Sequence, residues 1–151
     1  MRNPDRVDRL KSRLRRLGLD ALLISNPSNI YYLSGFNGHD SYSLITQDRK
    51  YIITDFRYTE QAEKETEGFE IIDRPSSLFK KTASLIAKCS LKRTGFESSH
   101  LTVGEADIIS GSINKKLYST FGLIGKLRAI KDQQEIKLIK RAAAIAKKAY
   151  K

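Results

Sequence analysis

Residues 17–36 read LGLDALLISNPSNIYYLSGF, and they decide the architecture. Ala21–Ser25 is an unbroken apolar run short enough to be a strand, and a strand apolar on both sides is one buried on both faces of a sheet. Gly18 before it is a helix stop. Asn26-Pro27-Ser28 after it is a turn and a helix start, with Ile30, Tyr31 and Leu33 on a short helix that Ser34-Gly35 breaks. Helix, buried strand, helix within so short a span is the signature of a layered α/β domain.

Working outward, Val7, Leu10, Leu14 and Leu17 form one face of a first helix whose other face is Arg and Lys. On the C-terminal side, strands are expected near Tyr42–Thr46 and Tyr51–Thr54, with Gln47–Lys50 of hairpin length and polarity between them. Phe56–Glu67 is a polar helix carrying Glu60 and Lys64 one turn apart. Phe69–Ile72, Thr94–Glu97 and Lys116–Phe121 are further strands. Ser77–Ser90 is an amphipathic helix with Phe79, Ala83, Ile86 and Cys89 facing inward. Thr102-Val103-Gly104-Glu105 is a capping box that opens a helix through Ala106, Ile109 and Ile113. Gly122–Lys131 reads as a link. The pattern is a mixed, mostly parallel sheet with helices on both faces.

The final segment, DQQEIKLIKRAAAIAKKAYK, opens on Asp132 as N-cap with Glu135 positioned to bond back to it. Ile136, Ile139, Ala143, Ala146 and Tyr150 then recur at helical spacing, and no Gly, Asn or Pro stops the helix. A stripe still running at Lys151 is expected of a chain continued in a larger protein. The expected division is a domain over residues 1–128, with 129–151 as linker and first helix of a further domain.

The chain has 151 residues, 40% hydrophobic and 30% charged, the balance of an ordinary globular domain with a real core. Cys89 is alone, so no internal disulfide forms, and no Cys/His cluster suggests zinc. The basic N-terminal stretch lacks the apolar centre of a secretory signal, and no apolar run has membrane-spanning length. A cytoplasmic setting is the simplest expectation. The net charge of +11 is not spread evenly. Residues 1–17 carry seven Lys/Arg against two Asp, and residues 126–151 carry nine against two acids, while the middle of the chain is near neutral. With no aromatic residues interleaved for base stacking, these ends read as solvated helix faces, or faces meeting an acidic partner, rather than a nucleic-acid surface.

Motifs for chemistry are sparse. There is no P-loop, dinucleotide-binding glycine pattern, serine-hydrolase elbow or HExxH. Asp40, Asp55 or Glu97 could join His39 or His100 at a metal, but nothing sets them at ligand spacing. His39 lies beside Asp40 in the glycine-containing loop Phe36–Ser41, a type of segment that carries binding residues when held on a rigid scaffold. The neighbouring carboxylate favours its charged form, able to meet an anion; the plain alternative is a solvated loop histidine. His100 reads as part of a strand-to-helix connection. Asp55 ends a buried-type strand, where binding groups collect in α/β sheets. It could equally cap the next helix with Arg57 as its ion-pair partner.

Taken in order, RVDRLKSRLRRLGLDALLIS, NPSNIYYLSGF, ITDFRYTEQAEKETEGFEI, GFESSHLTVGEAD and LRAIKDQQEIKLIKRAAAIA resemble the N-terminal domain of the creatinase/prolidase/Xaa-Pro aminopeptidase family over nearly the whole chain. The resemblance implies a ribonuclease H-like layered fold. It implies that the segment after Lys131 leads into a C-terminal metallopeptidase domain. That domain would hold two divalent ions (manganese, cobalt or zinc) and cleave the bond before proline. The family's five metal ligands, two Asp, one His and two Glu, have no counterpart here, so no catalytic or metal-binding residue is expected in this chain, which alone is expected to be inactive. It further implies a homodimer, proline-containing peptides as the parent's substrate, and a substrate-access loop over Phe36, Asn37, Gly38, His39 and Asp40. Arg57 and Tyr58 are weaker substrate-side candidates. The alternative is a binding module from a peptidase-like protein without activity; creatinase-like C–N hydrolysis fits the SGF and TDFRY segments less well.

Overall fold

The structure is a computed structural model that describes residues 4–149. Its elements in chain order are α1 (Pro4–Arg16), β1 (Ala21–Ile24), α2 (Pro27–Ser34), β2 (Tyr42–Thr46), β3 (Lys50–Thr54), α3 (Phe56–Glu65), β4 (Glu70–Asp73), α4 (Leu78–Lys88), β5 (Thr94–Glu97), α5 (Val103–Ile113), β6 (Leu117–Thr120), α6 (Leu123–Arg128) and α7 (Gln133–Ala149). The six strands form one sheet in the order β4-β3-β2-β1-β5-β6. β1–β2 and β2–β3 are antiparallel; β3–β4, β1–β5 and β5–β6 are parallel.

The apolar run of β1 is buried along its whole length because it lies inside this sheet, with its side chains alternating between two cores. Leu22 and Ile24 join Val7, Leu10, Leu14, Ile30, Ile45, Ile52 and Ala62 on one face, under α1, α2, α3 and α6. Ala21 and Leu23 join Leu44, Ile53, Ala83, Ile86 and Ile109 on the other, under α4 and α5. Helices therefore cover both faces, as expected from the sequence.

Several expectations are corrected. Leu17 is 52% exposed, because α1 ends at Arg16 and the left-handed Gly18 (φ 64°) reverses the chain, delivering Leu19 to the core in its place. Lys50 belongs to β3, paired with Ile45, and the hairpin turn is Gln47–Arg49, closed by the Arg49 and Asp48 amides donating to the Thr46 hydroxyl. Cys89 faces the core as expected, though from the C-cap of α4 and only half-buried, its Sγ 3.5 Å from the Tyr51 hydroxyl. The supposed link Gly122–Lys131 contains α6, which buries Ile124 and Leu127. The two capping boxes stand: Thr102 and Glu105 exchange bonds at α5, and Asp132 and Glu135 do so at α7. Along α7 no described residue is buried; Ile136 is half-buried and Ile139 exposed, while Tyr150 lies outside the described residues.

Candidate functional site

The 36–40 loop is an anchored segment. The N–H of left-handed Gly35 (φ 83°) closes α2 on the Tyr31 carbonyl at 2.8 Å, and the Ser34 hydroxyl receives the Phe36 amide at 3.1 Å. Phe36 is 1% exposed and fills the α1/α2 core, so it is the anchor of the loop, not part of its outer surface. Gly38 passes directly over that ring. A Cβ there would sit 2.1 Å from Phe36 Cζ, a distance no side chain allows, so only glycine fits. The Asn37 amide donates to Glu65 Oε2 (2.8 Å), and Ser41 Oγ lies 2.6 Å from the His39 carbonyl.

Between these ties the tip stands out. Asn37, His39 and Asp40 are exposed, and among the described residues the His39 ring has no hydrogen-bond partner. Asp40 adopts φ 48°, a conformation an aspartate tolerates better than most residues. The tip borders a cleft of about 350 Å³ whose other walls are Tyr31, Tyr32, Arg6, Arg128 and Glu135. Loop and cleft thus lie where α7 begins.

The floor of that junction is Arg6, expected from the sequence among the solvated cations of the first helix. It is 5% exposed. Its Nη1 donates to the Tyr32 carbonyl (2.8 Å), and its Nη2 to Asp132 Oδ2 (2.6 Å), with Glu135 Oε1 at 3.5 Å. The guanidinium also lies 4.2 Å over the Tyr32 ring. The signal was there: Arg6 precedes Leu10 and Leu14 by one and two turns, on the inward stripe.

Asp55 resolves its two readings toward the structural one. Its carboxylate accepts from the Arg57 amide (3.0 Å) as helix cap and from Arg57 Nε (3.0 Å) and Nη2 (2.6 Å) as a fork, with Arg74 Nη2 at 3.4 Å. The Arg57 hydrogen bonds hold the Asp55 carboxyl below its ordinary value of 3.8. Arg57 Nη2 is also 3.7 Å from Asp40 Oδ2, which brings this predicted residue to the loop. Tyr58 instead packs, half-buried, against the α1/α2 core. Glu97 is likewise occupied: its Oε2 accepts from the Ser25 and Asn26 amides (3.0 and 2.9 Å), and its Oε1 from Asn29 Nδ2 (2.6 Å). His100 Nδ1 rests 3.2 Å from Ser25 Oγ, in the β5–α5 connection. The candidate carboxylates are thus committed to cations and amides. Among the described residues no three His, Cys, Asp or Glu gather as a metal site.

A depressed carboxyl pKa stabilises the fold fully above the ordinary value, and the contribution fades as pH falls from there through the lowered one. The stability difference between the parent chain and Arg57→Ala is therefore expected to hold steady from about pH 7 to 5 and to shrink below about pH 4. Urea midpoints across that range measure it. A difference as large at about pH 3 as at about pH 7 would mean that the Asp55 charge does not couple to Arg57.

No described helix is long and apolar enough to cross a membrane. The creatinase/prolidase N-terminal domain family matches residues 6–130. A protein of Bacillus subtilis described as an uncharacterized peptidase, YqhT, is 37% identical over 147 residues, which are 97% of this chain and 42% of that protein. Among solved structures, the Xaa-Pro dipeptidase from Bacillus anthracis superimposes with a TM-score of 0.91 at 34% identity, over 97% of this chain and 41% of that one. The N-terminal domain of the cytoplasmic peptidase PepQ from Mycobacterium tuberculosis H37Rv gives a TM-score of 0.76 at 31% identity, over 83% of this chain and 99% of that one. The chain spans about two fifths of the length of the curated relatives it matches. With the sheet order, the two-sided helical cover and this match over most of its length, the chain belongs to the creatinase/prolidase N-terminal domain family.

Proposed function

We propose that this chain is the accessory N-terminal domain of an Xaa-Pro peptidase, and that its 36–40 loop limits access of peptides to a neighbouring active site. The parent hydrolyses the peptide bond before proline in a C-terminal domain that holds two divalent ions, which activate water and stabilise the developing oxyanion. This chain supplies dimer contacts and substrate positioning, and no catalytic group. The domain boundary falls near residues 128–129, with α7 the first helix of the C-terminal domain, and the protein works in the cytoplasm. The observation that carries the reading is the placing of an exposed His39, without a ring hydrogen bond among the described residues, on an anchored loop beside the start of α7. An imidazole N–H there can donate a hydrogen bond to the carboxylate of a short peptide.

The test uses the protein encoded by the uncut reading frame, assayed for Xaa-Pro hydrolysis with added manganese or cobalt. His39→Ala is expected to raise KM by roughly three- to thirtyfold for dipeptides, with kcat changed far less, because it removes binding and no reacting group. Equal kinetics for every peptide length would remove the loop from the substrate's path. Hydrolysis by the 151-residue chain alone would overturn the accessory role.

A further inference from the structure

We propose that Arg74 and Arg57, gathered on Asp55, are the positioning residues of the 36–40 loop, fixing the direction in which His39 is presented. The inference rests on the reading of that loop as substrate-facing, but its geometry is independent of it. Asp55 ends β3 and is 6% exposed, so it is a fixed point of the scaffold. Arg57 forks onto it with two short hydrogen bonds and reaches on to Asp40 Oδ2 at 3.7 Å. Arg74, at the end of β4, approaches from the other side: Nη2 lies 3.4 Å from Asp55 Oδ2 and 3.4 Å from the Asp40 carbonyl, while Nη1 donates to the Ser76 carbonyl at 2.8 Å. The Arg74 amide is itself locked to the Thr54 carbonyl at 2.8 Å.

Asp40 is thereby held at two points, one on its side chain and one on its backbone. It is also the residue that takes the unfavourable left-handed turn, φ 48°. An aspartate reaches that region at less cost than most residues, and outside contacts hold it there. The two arginines supply that constraint, and a guanidinium is suited to it because its planar fork serves a carboxylate and a carbonyl together. Gly38 over Phe36 fixes the preceding part of the loop, so His39 lies between two clamps.

Backbone ¹⁵N relaxation on the 151-residue chain reads the consequence directly. In the parent, Gly38, His39 and Asp40 are expected to show order parameters near those of the sheet, about 0.85. Arg74→Ala is expected to drop them below about 0.6 while β2 and β3 stay rigid. Asp55→Asn keeps an N-cap acceptor for α3 but loses the charge that gathers both arginines, so the same loosening is expected with the first turn of α3 intact. Arg57→Ala, a half-exposed residue, covers the case in which Arg74→Ala fails to fold. A loop already mobile in the parent, or order unchanged in all three variants, would overturn the proposal, as would loosening that spreads equally through β2 and β3. Order lost at residues 38–40 with unchanged KM in the uncut protein would support the positioning role and remove the substrate-facing one.

Discussion

Arg6→Ala is expected to destabilise the domain by about 3 kcal/mol and to detach the start of α7 from the body of the fold. The guanidinium is almost entirely desolvated and is the partner of two carboxylates from the Asp132 capping box. Removing one member of a buried ion pair costs about 3–5 kcal/mol, chiefly because the partner is left charged without compensation. Here the side chains of Asp132 and Glu135 keep 19% and 22% exposure, so water recovers part of their solvation, and the lower end of that range applies. The Tyr32 carbonyl also loses its donor, and the ring loses the cation above it. Arg6→Met separates these contributions, since it retains most of the volume and removes the charge. Combined with Asp132→Asn it is expected to regain about 1 kcal/mol of what Arg6→Met alone loses, because less acid repulsion remains at the cap. Urea unfolding gives the stability, and amide exchange along Gln133–Ile139 gives the attachment of α7. An unfolding free energy within about 0.5 kcal/mol of the parent would show that the clasp is decoration.

What could be read from the sequence follows the range of the interactions involved. β1 was legible because burial on both faces writes itself into consecutive residues. The α5 and α7 starts were legible because the partners of a capping box lie only three positions apart, Thr102 with Glu105 and Asp132 with Glu135. α6 was not, since a six-residue segment capped by Gly122 and carrying Gly125 becomes helical only by burying Ile124 and Leu127 against α1 and α2. Leu17 fitted the helical stripe but fell past the last turn, where Gly18 redirects the chain. At the site, the loop was singled out by its composition together with the family resemblance, whereas its supports were not. Arg6 bonds 126 residues away to Asp132, and Arg74 meets Asp40 across 34 positions, and no periodicity encodes a partner at such distance. Arg57 was found because its partner Asp55 is two residues away.

Glu97→Ala is the other substitution of large expected effect, about 3 kcal/mol, with a consequence that reaches the cleft. Glu97 closes β5 and is buried, with both carboxylate oxygens in use. Its Oε2 takes the two amides that follow β1, fixing the turn into α2; its Oε1 takes the Asn29 side chain. Asn29 Oδ1 in turn accepts from Arg128 Nη1 at 2.9 Å, so the chain of bonds runs from β5 through α2 to α6. Truncation leaves three donors without this acceptor, each costing about 1–3 kcal/mol where water does not reach. The Asn26 amide is only partly buried and regains some hydration, which keeps the total below the sum of the three. Glu97→Gln is expected to lose about half as much, since one oxygen remains but its amide group faces a donor. Asn29→Ala removes only the relay. If the network acts as one unit, the double variant Glu97→Ala/Asn29→Ala will be more stable than the sum of the single losses by about 1 kcal/mol. Strict additivity would mean that Glu97 serves the β1–α2 turn alone. Coupling would mean that the end of β5 helps to set where α6, and the Arg128 wall of the cleft, come to rest.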